Sequence, residues 1–195
     1  AMSGFFAQSF LTRDNYQDLL KDCFQTMKLF GSKVAFLPLG GSGKDWQQEG
    51  CAAYQQMVSR LRTAGEMAKQ EGITIGIRTG MGAKFDKKLL KKVGSSQIKV
   101  YYNFQDAADH HRDICKELRK LGAQRIVQIH ASNTDSVNLQ EDPEINLPKI
   151  RKTLDKMKWS GWLVVERSRD VKRVRDVKYN FGRNIAYLKQ VFQER

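Results

Sequence analysis

The sequence predicts an α/β fold in which a parallel sheet is covered by helices. Short runs rich in Val, Ile, Leu, Phe and Tyr recur about every thirty residues, each followed by a longer segment whose apolar residues keep helical spacing. Glycine closes most of those helical segments, at Gly31, Gly72, Gly94 and Gly122. The runs are dominated by Val, Ile, Leu, Phe and Tyr, which is the pattern of a parallel sheet whose strands are covered by helices.

The first run, 5–10, holds Phe5, Phe6, Ala7 and Phe10 and is expected to be a strand. Asp14 then opens a helix on which Tyr16, Leu19, Leu20, Cys23, Met27 and Phe30 keep helical spacing up to Gly31. The second strand, 34–37, is ended by Pro38 and a glycine-rich turn, and a long helix over 48–70 closes at Gly72. The third strand, 73–78, precedes a glycine-containing loop and a short basic helix over 86–93. The fourth, 98–103, precedes a helix over 106–121. The fifth, 125–130, leads into a long polar loop over 131–148 and a helix to Met157. The sixth, 162–167, is followed by a last helix from Gly182 toward Glu194.

With 195 residues, 41% hydrophobic and 28% charged, the chain has the make-up of a single soluble domain over 1–195. No run nears the roughly eighteen consecutive apolar residues of a membrane span, and the N-terminus lacks the basic and apolar regions of a signal peptide. A cytoplasmic location without membrane contact is therefore expected. Cys23, Cys51 and Cys115 fit neither a disulfide framework nor a C-x-x-C zinc site. The net charge of +13 favours phosphates, nucleic acid or other anions as partners.

Two architectures satisfy the alternation, a doubly wound sheet and a closed barrel. A full barrel takes about 250 residues in eight units, so this length accommodates about six. In either case functional groups gather at the C-terminal ends of the strands. Arg78, Asn103, His130 and Glu166 end four successive predicted strands. An imidazole and a carboxylate arriving from neighbouring strands form the nucleus of a divalent metal site. The competing reading has His130 satisfied by a loop carbonyl beside a Glu166 paired with Arg167 or Arg169.

Several stretches resemble a known family: Lys-Val-Ala-Phe-Leu-Pro-Leu-Gly at 33–40, Gly-Ile-Thr-Ile-Gly-Ile at 72–77, Lys-Val-Tyr-Tyr-Asn-Phe at 99–104 and Arg-Ile-Val-Gln-Ile-His-Ala at 125–131. The most specific is Ser-Gly-Trp-Leu-Val-Val-Glu-Arg-Ser-Arg-Asp at 160–170, with Asn-Phe-Gly at 180–182 beyond it. Together they are similar to the xylose isomerase-like barrels, a sugar phosphate isomerase/epimerase group. The resemblance implies a parallel (βα) barrel of TIM type, incomplete, with about six of eight βα units and the first two missing. It also implies metal ligands at His130, Glu166 and Asn103 for Mn²⁺, Mg²⁺, Co²⁺ or Zn²⁺. Glu166 would be the catalytic proton carrier, and a sugar or sugar phosphate the substrate. Arg78, Gln128, Arg167 and Trp46 are the candidate substrate contacts.

Two departures weaken that expectation. Asn103 is an amide where the family usually has a carboxylate, and Arg78 replaces a carboxylate by a cation. A guanidinium about 4 Å from a divalent ion would repel it by on the order of 8 kcal/mol at an effective dielectric near 20. The metal is thus expected to be weak or absent, and activity impaired or lost. One alternative is a non-catalytic anion-binding or structural derivative in which Arg78 replaces the metal. A second is a basic protein that associates non-specifically with nucleic acid through Lys84, Lys87, Lys88, Lys91, Lys92 and the run 167–178. No motif for specific nucleic-acid recognition accompanies those charges. The glycine-rich turn at 40–45 fails as a P-loop, because Asp45 stands where Ser or Thr is required after Lys44. With units missing, unpaired strand edges at 5–10 and 162–167 point to a homo-oligomer.

Overall fold

The computed structural model describes residues 7–39, 44–133 and 135–194. Five strands form one sheet in the order β1-β2-β3-β4-β5: β1 Val34–Pro38, β2 Thr74–Arg78, β3 Ile98–Asn103, β4 Ile126–His130 and β5 Trp162–Val164. The pairs β1–β2, β2–β3 and β4–β5 are parallel. Eight helices are described: α1 Ala7–Thr12, α2 Tyr16–Leu29, α3 Ala52–Gln70, α4 Ala83–Val93, α5 Phe104–Ala108, α6 Ile114–Leu121, α7 Leu147–Lys156 and α8 Val177–Phe192. Sequential parallel strands with helical crossovers make this an incomplete α/β barrel of TIM type, as expected.

The expected first strand is overturned. Phe5 and Phe6 lie outside the described residues, while Ala7 and Phe10 belong to helix α1. Phe10 is wholly buried and meets Tyr16 edge-on, with ring centroids 5.6 Å apart. Arg60 of α3 donates to the backbone oxygens of Phe10 (2.8 Å) and Arg13 (2.6 Å), taking up carbonyls at the end of α1. A short apolar run has no period that tells strand from helix, and here burial against a helix decides. The sheet therefore holds five strands, and its edges are β1 and β5 rather than 5–10.

Two further elements differ from expectation for reasons visible in the side chains. The helix expected over 106–121 breaks after α5, where His111 takes a positive φ of 51°. Asp113 then starts α6 by accepting a hydrogen bond from the Lys116 N–H at 2.9 Å. The last helix begins five residues before Gly182, because Asp176 accepts from the Tyr179 N–H at 2.9 Å and caps it. β5 stops at Val164, so Glu166 lies beyond its end instead of within it.

The chain divides into two compact units, Ala1–Tyr101 with Arg125–Val127, and Tyr102–Gln124 with Gln128–Arg195. In the first, α3 is the central helix. Its buried residues Tyr54, Met57, Val58, Leu61, Ala64 and Ala68 serve contacts with α1, α2, α4 and β2. The Cys51 thiol caps α3 by accepting from the Tyr54 N–H at 3.3 Å. At the far end of α4, Gly94 supplies the left-handed residue (φ 72°), and Arg62 donates to the carbonyls of Lys92 and Val93. In the second unit α6 packs on α7 and α7 on α8, with Leu118, Leu121, Ile150, Leu154 and Leu188 buried. Among the described residues no helix is long and apolar enough to cross a membrane.

Candidate functional site

β4 and β5 deliver the two side chains that the sequence singled out most strongly. Their parallel register sets Gln128 against Trp162, Ile129 against Leu163 and His130 against Val164. The Ala131 N–H continues the ladder to the Val164 carbonyl at 2.9 Å. Two residues further along, Glu166 comes to His130, with Oε2 lying 3.3 Å from the imidazole Nδ1. The His130 side chain is 8% exposed and that of Glu166 is 45% exposed, so the imidazole is sunk in the fold while the carboxylate opens to solvent. That asymmetry suits a carboxylate that meets a ligand and an imidazole that holds it in place.

The other predicted site residues are employed differently. Asn103 ends β3 and is 1% exposed, yet its Oδ1 accepts the Gln105 N–H at 2.8 Å and caps α5. Its Nδ2 is a buried donor with no hydrogen-bond partner among the described residues. Gln128 is half-buried within β4. Arg78 ends β2, half-buried, in the first unit, and its carbonyl accepts from the Leu39 N–H at 2.7 Å. Trp46 is fully buried and stands edge-on to Phe85, ring centroids 5.8 Å apart. The Gly40–Gly43 part of the glycine-rich turn lies outside the described residues.

Arg167 is held by a residue that the sequence did not single out. Its Nη2 lies 2.8 Å from Asp135, and the Arg169 Nε lies 2.8 Å from the same carboxylate. The hydrogen bonds from Arg169, reinforced by those from Arg167, hold the Asp135 carboxyl down at about 2 against an ordinary 3.8. The two arginines thus leave Glu166 to His130, contrary to the reading in which Arg167 or Arg169 paired with that glutamate. Asp135 gave no sequence signal because it is one acidic residue in a polar loop. Elsewhere in the basic runs, Lys88 pairs with Glu49 at 2.8 Å, and Arg173 pairs with Asp176 at 2.7 Å while lying over the Tyr179 ring.

The donor set bears directly on the expected metal. Among the described residues no three His, Cys, Asp or Glu side chains are grouped to hold an ion. One imidazole and one half-exposed carboxylate, with the amide oxygen of Asn103 engaged in a helix cap, do not fit a resident divalent ion.

Comparison with known proteins places this fold. The model of the xylose isomerase-like TIM barrel family matches residues 4–191. A search of curated proteins found no match. Among solved structures, a D-tagatose 3-epimerase-like protein aligns with a TM-score of 0.68 at 15% identity, over 97% of this chain and 76% of its own. D-psicose 3-epimerase from Clostridium cellulolyticum H10 aligns at 0.75 with 13% identity, over 92% and 71%. An AP endonuclease, family 2, from Brucella melitensis aligns at 0.68 with 15% identity, over 94% and 70%. At such identities the structural likeness is one of fold. The family model spans nearly the whole chain, and the chain belongs to the xylose isomerase-like TIM barrel family.

Proposed function

We propose that the chain is a divergent sugar or sugar-phosphate isomerase/epimerase-like protein whose ligand meets the His130–Glu166 pair. The 3.3 Å approach of the two side chains, one buried and one open to solvent, carries this reading. A carboxylate accepts hydrogen bonds from adjacent sugar hydroxyls, and it is a competent acceptor for a proton removed next to a carbonyl. His130 holds that carboxylate in place and balances its charge when protonated. A single such carboxylate can move a proton on one face only, so inversion at carbon by two opposed carriers is outside its means. With two donors, any divalent metal is bound weakly and exchanges freely.

The test is a calorimetric titration of Mn²⁺ and of a panel of ketoses and ketose phosphates into the wild type, Glu166→Gln and His130→Ala. Weak saturable binding is expected in the wild type, falling about tenfold or more in either variant, the equivalent of about 1.4 kcal/mol. Ketose 3-epimerase turnover is expected at the Glu166→Gln background. Identical isotherms in all three proteins would refute the site.

A second reading, a non-catalytic anion-binding or structural derivative, is favoured by the engagement of Asn103 in capping α5. It predicts that ligands raise the melting temperature with no turnover of any substrate in the panel.

A further inference from the structure

Glu166 lies outside regular structure, so something other than a strand ladder must fix where its carboxylate points. The segment that carries it turns at Ser168, a fully buried non-glycine residue with φ 73°. Three buried asparagines converge on that turn. Asn184 donates its side-chain amide to the Ser168 carbonyl at 2.7 Å, and its Oδ1 accepts the Leu139 N–H at 2.9 Å. Asn138 donates to the same carbonyl at 3.1 Å and to Asn180 Oδ1 at 3.0 Å. Asn180 also accepts the Asp170 N–H at 2.8 Å and donates to the carbonyls of Arg173 and Asp176. From the other side, the Asn133 N–H donates to Ser168 Oγ at 2.7 Å, which ties the turn to the chain just beyond His130.

We propose that Asn184, acting through the Ser168 turn, is the positioning residue that sets Glu166 against His130. Asn180 and Asn184 are one helical turn apart on α8, so both amides address the same segment from a rigid element. They are 0% and 1% exposed, and a buried amide retained at such positions must return its desolvation cost through the bonds it makes. Here those bonds go to the two segments that flank the pair, the loop after β4 and the chain after β5. A left-handed serine persists only when its surroundings over-determine it, and the Asn184 and Asn138 amides on its carbonyl with the Asn133 N–H on its hydroxyl do so at this turn. The inference rests on the His130–Glu166 reading of the site and adds to it the groups that hold the pair together.

The experiment is a double-mutant cycle on the full chain. Urea unfolding is measured for the wild type, His130→Ala, Glu166→Gln and the double variant, and the cycle is repeated with Asn184→Ala present throughout. The expected result is a non-additive His130–Glu166 term in the wild-type background that disappears with Asn184→Ala. A merely structural asparagine would lower all four stabilities equally and leave the coupling intact, which would overturn the inference. Absence of coupling in the wild-type background would overturn it too. Should Asn184→Ala not fold, Asn184→Asp serves in its place, since it keeps the Oδ1 that accepts the Leu139 N–H while removing the amide donor to the Ser168 carbonyl. Loss of coupling is expected there as well, and its persistence would refute the inference. Failure of the ketose and Mn²⁺ titrations beside a lost coupling removes the functional reading and leaves the positioning role standing.

Discussion

Replacing Asp135 by Asn tests whether the loop after β4 is held to the chain after β5 by charge. The substitution keeps side-chain volume and removes the carboxylate shared by Arg167 and Arg169. A carboxyl held at about 2 rather than 3.8 corresponds to a stabilisation of about 2.4 kcal/mol at 1.36 kcal/mol per pH unit. Because the arginine side chains are 43% and 34% exposed, water screens part of that, and about 1–2 kcal/mol is expected at neutral pH. The folded state lowers the pKa, so this stability is fully present above the unfolded value of 3.8 and is lost as pH falls toward 2. At pH 3 about half of it remains. Urea unfolding of the wild type and Asp135→Asn at pH 7, 5 and 3 gives the comparison. The difference between the two proteins should be constant from pH 7 to 5 and fall by about half at pH 3. A difference that is zero throughout, or that does not change with pH, refutes the reasoning.

Gly76→Ala is expected to destabilise the first unit by about 1–3 kcal/mol, because a Cβ on β2 would lie 2.9 Å from Val127 Cγ1 and 3.0 and 3.1 Å from Tyr101. Chemical denaturation reads this, and a neutral result would mean that the neighbours yield at no cost. Self-association, which we propose proceeds by pairing of exposed strand edges, is expected at β5, the edge that stands as expected, while β1 takes the place of the edge expected at 5–10. Trp162 on that strand is 74% exposed. Sedimentation at micromolar concentration should show an oligomer for the wild type and a monomer for Trp162→Lys. A wild type that sediments as a monomer refutes it.

The strands β2, β3 and β4 were legible because continuous Val, Ile and Tyr between glycine signals leave few alternatives, and each lies within one residue of its expected bounds. Their C-terminal residues followed from the same reading, which is why His130 could be named before its neighbours were known. The run at 5–10 was not legible, since six residues are too few to show a helical period and Phe10 is equally at home buried from a helix or a strand. The boundary at Asp176 was within reach: an Asp three residues before Tyr179 is a capping signal, but the basic character of 167–178 reads as solvated chain.

What the sequence concealed in the site is the polar part, and the cause is specific. Asn180 and Asn184 stand among Lys178, Arg183 and Lys189 on α8, and residue type alone assigns such a stripe to water. Burial of an amide depends on whether partners exist at the far side, and those partners are backbone groups of Leu139, Ser168 and Asp170, in segments without periodicity. Asp135 is hidden for the same reason, since its partners Arg167 and Arg169 are thirty-two and thirty-four positions away. The pair proposed to meet a ligand is therefore recognisable from its places in the chain, His130 at the end of β4 and Glu166 two residues beyond the end of β5. The residues that fix their geometry come from a loop and a helix whose polarity points away from the interior until the fold brings them together.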